Sequence, residues 1–237
     1  MKEKMFSNIK NNYETIVRNI SDAAIASGRR PEDITFLAAT KTVDPEFINY
    51  AISLGLKFIG ENKVQELLSK YESYDLQNSQ LHFIGHLQTN KVRQIVGKVS
   101  MIQSVDSIRL AQEISRQSAK QGITTDILIE VNVGREENKS GVLPEKLEDL
   151  LCQVALLENI SVKGLMAIPP ICENEQKIRG YFQNMRNMFL DISTKKIDNI
   201  KMDTLSMGMS GDYREAILEG ANLVRIGSSL FGARIYN

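Results

Sequence analysis

Apolar positions along the chain fall into short blocks that switch between two periods. The first block, residues 5–27, places Phe6, Ile9, Tyr13, Ile16, Val17, Ile20 and Ala24 at helical spacing. It closes at Gly28, with Pro31 just beyond, both stop signals for a helix. A run of strand formers follows from Ile34 to Ala39, and strands and helices then alternate. Asp44-Pro45-Glu46 opens a helix that runs to Gly55. Residues 57–60 read as a strand, followed by a helix through 64–68. The series continues with strand 81–85, helix 89–96, strand 100–105 and helix 107–120, which ends at Gly122. Strand 125–133, helix 144–158, strand 161–168 and helix 173–193 come next. Strand 203–207, helix 212–219, strand 222–226 and a terminal segment complete it.

This alternation predicts an α/β protein. Its strands are short and apolar on both faces, as expected when helices cover a parallel sheet. No Pro/Gly/Ser-rich linker divides the series. Residues 1–237 are therefore expected to form one domain, a single (β/α)8 TIM-type barrel with a leading N-terminal helix. An open doubly wound sheet is the alternative that the same pattern permits. In a barrel, functional groups sit at the C-terminal ends of strands, and phosphate sites form after strands 7 and 8.

Composition narrows the classes. Lys and Arg number 29 against 29 Asp and Glu, and 42% of residues are hydrophobic. A balanced charge argues against binding dominated by nucleic-acid phosphates, so no nucleic-acid partner is expected. No apolar run is long enough to span a membrane, and the N-terminus lacks the apolar core of a signal peptide. A cytoplasmic protein without a membrane partner is expected. Cys152 and Cys172 match no zinc spacing, and Cys152, inside the apolar run 150–154, is expected to be a buried free thiol. His82 and His86 lie in a strand-type run without neighbouring carboxylates, so no metal site is expected.

Three places could carry chemistry. Lys41 emerges from the apolar strand 34–39, where partial burial would leave an amine able to attack a carbonyl. From composition alone, a lysine snorkelling to water is the favoured reading. Residues 206–212, Ser-Met-Gly-Met-Ser-Gly-Asp, lead into a helix N-terminus suited to an anion, although Ser210 and Asp212 also read as ordinary caps. Arg225-Ile226-Gly227-Ser228 ends the last strand with a fixed charge, a close-approach glycine and a hydroxyl. Two anion-ready turns after strands 7 and 8 reinforce each other. The loop 134–141 reads as solvated charge or a lid. Walker, GxGxxG and GxSxG elements are absent from the sequence.

Seven segments, in order, resemble one family: 38–42 (AATKT), 60–66 (GENKVQE), 82–91 (HFIGHLQTNK), 139–141 (KSG), 164–170 (GLMAIPP), 205–212 (LSMGMSGD) and 224–232 (VRIGSSLFG). Together they look like the pyridoxal 5′-phosphate homeostasis protein family, over roughly residues 6–236. That resemblance implies a barrel of the alanine racemase N-terminal domain type with pyridoxal 5′-phosphate (PLP) as cofactor. Lys41 would hold PLP as a Schiff base. Ser210, Gly227 and Ser228 would hold its phosphate, and Arg225 would face the pyridine nitrogen. Asn62 and Met166 would line the ring. His82 and His86 would be framework or mouth residues, and Lys63 takes no role.

An arginine beside the pyridine nitrogen keeps that nitrogen unprotonated and the cofactor a weak electron sink. The resemblance thus implies a PLP carrier in vitamin B6 and amino-acid homeostasis, with no residue assigned as catalytic. PLP-accepting apo-enzymes are candidate partners, and a monomer is expected. A PLP-dependent amino-acid racemase is the alternative. It needs acid/base groups on both faces of the Cα–H bond, and the chain's end soon after strand 8 leaves no room for the second domain of a racemase. A barrel enzyme acting on a sugar phosphate is a third reading, which leaves Lys41 unexplained.

Overall fold

In the computed structural model, which describes residues 2–172 and 174–232, eight parallel strands close into a barrel in sequence order. They are β1 (Thr35–Ala39), β2 (Phe58–Glu61), β3 (Gln80–Phe83), β4 (Met101–Val105), β5 (Thr125–Glu130), β6 (Ile160–Met166), β7 (Ile200–Ser206) and β8 (Leu223–Ile226). Closure pairs β8 with β1, with Leu37 opposite Arg225 and Ala38 opposite Ile226. The open-sheet alternative is thereby excluded. Residue 173, the expected start of helix 173–193, and the terminal segment beyond Gly232 lie outside the described residues.

Helices α1 (Lys2–Ala26), α2 (Pro45–Ser53), α3 (Val64–Lys70), α4 (Ile108–Gln121), α5 (Leu147–Ala155), α6 (Glu175–Thr194), α7 (Tyr213–Leu218) and α8 (Ser228–Phe231) surround the barrel. Two expectations shift in detail. Residues 89–96 form no α-helix but a 3₁₀ segment, Thr89–Gln94. Thr89, Asn90, Val92, Ile95 and Val96 are poor helix formers, and Gly97 at φ +80° ends the run. The long helix expected over 144–158 begins as a 3₁₀ turn, Pro144–Lys146, before α5. Cys152 is exposed, not buried. The buried stripe of α5 is Leu147, Leu150, Leu151 and Val154, and Cys152 is turned about 100° away from Leu151.

The leading helix is a working part of the barrel wall. Ile9, Ile16, Ile20, Ala23 and Ala24 are buried along one face of α1. Its polar residues reach the last elements: Asn12 Nδ2 donates to Leu230 O at 2.9 Å, and Asn19 Nδ2 to Tyr213 Oη at 3.0 Å. Arg29, just beyond, donates to Ala221 O at 2.8 Å. The N-terminal segment is thereby fastened beside β8 and the helices that flank it.

Most apolar side chains lie between the sheet and the helices. A second cluster fills part of the barrel interior, with Leu37, Ile84 and Leu223 packed against Ala39 and Phe58. The rest of the interior is polar. His82, Gln103, Ser206 and Arg225, on β3, β4, β7 and β8, are all buried and hydrogen-bonded to one another in sequence across the lumen. Strands apolar on both faces were expected, and the inward face of these four departs from that.

Candidate functional site

Period-two alternation decides where Lys41 goes. Leu37 and Ala39 belong to the interior cluster, and Lys41 continues their face beyond the end of β1. It lines a cavity of about 580 Å³ at the C-terminal mouth, between β1 and β8. Ser210, Arg225, Gly227 and Ser228 line the same cavity, with Met5 of α1, Phe47 of α2 and Phe231 of α8 forming apolar wall. Five of the seven residues expected at the site therefore meet. Asn62 and Met166 stand at the ends of β2 and β6 but do not line this cavity. Met166 is fully buried, and the Asn62 Oδ1 is buried with no hydrogen-bond partner among the described residues.

The two turns after β7 and β8 interlock. Ser210 Oγ accepts from Gly227 N at 3.2 Å and from Ser229 N at 3.3 Å. Two backbone donors thus converge on one oxygen, at the long end of hydrogen-bond distance. Gly227 is there because the chain passes close to β1: a Cβ on it would lie 3.0 Å from Ala39 O and 3.3 Å from Ala39 Cβ. Asp212 does not cap α7. It folds back so that Oδ1 accepts from Met209 N at 2.6 Å, which shapes the loop around Gly211. Ser229 was not singled out by sequence; its donor is a backbone group, invisible in residue type.

Arg225 is buried inside the mouth. Its Nη1 donates to Ser206 Oγ and its Nη2 to Ala167 O at 2.8 Å. Burial pushes it down to about 10, against the opposing pull of Glu130 and Asp212, so it stays charged at neutral pH. Glu130, at the mouth end of β5, is pushed up to about 7, chiefly by burial and then by Asp106, with Arg225 opposing. Sequence reading passed over Glu130, although a carboxylate ending an otherwise apolar strand was a signal. The loop 134–141 is tied down: Asn132 brackets Glu136 through N and O, and Ser140 Oγ lies 3.1 Å from His86 Nδ1.

These features suit a small anionic aldehyde. Convergent N–H groups with a hydroxyl match a phosphate, and an inward lysine stands across the cavity from them. The missing side chain at Gly227 lets this turn pass close against Ala39 of β1.

Comparison with known proteins shows the family. The family model described as alanine racemase, N-terminal domain, matches residues 38–235. A curated protein of Aquifex aeolicus, named pyridoxal phosphate homeostasis protein, is 46% identical over 221 residues. The match covers 93% of this chain and 96% of that protein. This chain belongs to the pyridoxal phosphate homeostasis protein family. Solved structures place the family's fold on it throughout. PipY of Synechococcus elongatus, with PLP bound, matches at TM-score 0.79 and 30% identity, covering 90% of this chain and all of that one. A Bifidobacterium adolescentis protein of unknown function matches at TM-score 0.92 and 34% identity, covering 97% of each chain. Among the described residues, no helix is long and apolar enough to cross a membrane.

Proposed function

We propose that this chain binds PLP at the mouth of the barrel, with Lys41 as the covalent anchor, and acts as a carrier or buffer in PLP homeostasis. The observation that carries this reading is one cavity lined by Lys41, Arg225, Ser210, Gly227 and Ser228. When bound, PLP would supply an aldehyde, and the Lys41 amine is the group on the lining that would hold it covalently. Ser210, Ser228 and the Gly227 and Ser229 N–H groups take the phosphate. Arg225 would face the pyridine nitrogen as a donor and would leave it unprotonated. Asn62 and Met166, expected beside the ring, stand at the ends of β2 and β6 outside the cavity lining. A homologue named for PLP homeostasis and a relative solved with PLP bound support the ligand.

A carrier fits the lining better than a racemase. The titratable side chains on the cavity wall are Lys41, Asp44 and Arg225. Asp44 is engaged in capping α2, accepting from Glu46 N at 3.0 Å, and Arg225 is engaged with Ser206 and Ala167. Lys41 is the amine among them, and it lies on one face of the site. The same reading takes residues 1–237 as one cytoplasmic, monomeric unit that exchanges PLP with apo-enzymes. Borohydride reduction of PLP-loaded protein should fix a pyridoxyl group on Lys41, and single-enantiomer alanine in deuterated water should keep its optical purity. An adduct on another lysine overturns the anchor, and loss of optical purity overturns the carrier.

A further inference from the structure

Directly behind the Lys41 turn lies a buried ion cluster of Lys70, Glu61 and Glu66. Lys70, the last residue of α3, is nearly buried, with a side chain 12% exposed. Its Nζ donates to Thr40 O at 3.1 Å, to Glu61 Oε1 at 3.1 Å and to Glu66 Oε1 at 2.5 Å. An ammonium has three donors, and all three are used. Each acceptor leads back to Lys41. Thr40 is the residue before it. Glu61 Oε1 also accepts the Thr40 hydroxyl at 2.8 Å, and Glu66 Oε1 accepts the backbone N–H of Thr42, the residue after it.

Thr42 sits at φ +64°, a conformation that a β-branched residue adopts only when its surroundings impose it. The Glu66 carboxylate on its N–H is such an imposition. Tyr74 Oη completes the cluster with a 2.8 Å bond to Glu61 Oε1, and its phenol is held protonated by burial and by that carboxylate. One ammonium therefore fastens the carbonyl on one side of Lys41 and, through two carboxylates, a hydroxyl and a strained N–H on either side of it.

We propose that Lys70 is a positioning residue for Lys41: through Glu61 and Glu66 it holds the 40–42 turn so that the Lys41 amine is presented to the aldehyde of PLP. This rests on Lys41 being the anchor. The turns after β7 and β8, proposed to hold the phosphate, belong to other elements and hydrogen-bond to each other through Ser210. The cluster should therefore govern capture of the aldehyde and leave phosphate binding alone.

The test compares PLP with pyridoxine 5′-phosphate, which has an alcohol where PLP has the aldehyde. Lys70→Met and Glu66→Ala should each slow Schiff-base formation, read by absorbance, by about tenfold or more. Binding of pyridoxine 5′-phosphate, read by calorimetry, should stay as in wild type. Glu66→Gln should restore much of the rate, because its amide oxygen can still accept the Thr42 N–H. Should Lys70→Met not fold, the Glu66 pair decides alone. Wild-type rates in the variants, or a parallel loss of both ligands, would overturn the proposal while a wild-type adduct on Lys41 left the anchor standing. An adduct elsewhere in the wild type would remove the anchor and this inference with it.

Discussion

His82 and Arg225 are the two ends of one hydrogen-bonded chain across the barrel. Arg225 Nη1 donates to Ser206 Oγ, Ser206 donates to Gln103 Oε1 at 2.7 Å, and Gln103 Nε2 lies 2.8 Å from His82 Nδ1. A guanidinium can only donate, so the chain runs outward from Arg225 and ends on His82 as acceptor. His82 is then neutral with its proton on Nε2. Burial pushes it down to about 4, in agreement with that state. The orientation of Arg225 toward the cavity is thus set from the far side of the lumen.

Ser206→Ala should show what that orientation is worth. It leaves a buried guanidinium N–H and a buried amide oxygen without partners, at a cost of ~2–3 kcal/mol. Urea unfolding should register the loss directly. PLP affinity should fall as well, because Arg225 would retain only the Ala167 carbonyl as a fixed acceptor. Wild-type affinity in a destabilised variant would show that Arg225 is held by other means.

Glu130 and His82 should act on stability in opposite directions over overlapping pH. Glu130 rises from an ordinary value of 4.5 to about 7, so between these values the folded chain holds the extra proton. Its contribution is present below pH 4.5 and is lost as pH rises through 7. His82 falls from 6.5 to about 4, so there the unfolded chain holds the extra proton. Its contribution is present above pH 6.5 and is lost as pH falls through 4. The two cancel over most of the range in wild type. Glu130→Gln should unmask a stability that rises from pH 4 to 6.5, and His82→Asn one that falls from pH 4.5 to 7. Each swing should approach ~3 kcal/mol, measured by urea midpoints at fixed pH.

Ser210→Ala separates ligand binding from folding. The hydroxyl meets two long N–H bonds at an open mouth, where water can replace it, so stability should change little. A dianionic phosphate would lose a charge-assisted donor, weakening PLP and inorganic phosphate alike by about tenfold. Competition titration of PLP against phosphate checks this. A drop for PLP alone would place Ser210 at the aldehyde end instead.

The architecture was legible because eight alternations leave few ways to arrange parallel strands under helices. Lys41 and Arg225 were conspicuous as charges at the ends of apolar strands, but composition alone favoured a snorkelling lysine, and the family resemblance supplied their roles. Their meeting, implied by the family resemblance, has no local signal of its own, since it depends on closure of β8 onto β1. The interior chain was hidden for a related reason. Gln103 and Ser206 are ordinary strand residues until the register turns both inward, and nothing local announces a partner three strands away. Glu61, a carboxylate at a strand end, is fully buried behind the Lys41 turn. Its partners Lys70 and Tyr74 come from the following helix and turn, at spacings no motif marks. Cys152 misled because a run of apolar neighbours conceals helical phase.

Two glycines should divide stability from affinity. At Gly85 a Cβ would lie 2.0 Å from Asn62 O, backbone against backbone, with no flexible side chain to give way. Gly85→Ala should cost about 3 kcal/mol, the upper range for overpacking, and should displace the end of β2. At Gly227 the nearest atoms are Ala39 O at 3.0 Å and Ala39 Cβ at 3.3 Å, so a shift of a few tenths of an ångström relieves the contact. That shift is delivered to Ala39, two residues before Lys41, and to the Gly227 N–H on Ser210. Gly227→Ala should therefore stay within about 1 kcal/mol of wild-type stability while losing PLP affinity by roughly tenfold or more. Thermal melts and PLP titrations of the two variants make the comparison. If Gly227→Ala bound PLP as wild type does, close approach of β8 to β1 would have no part in forming the site.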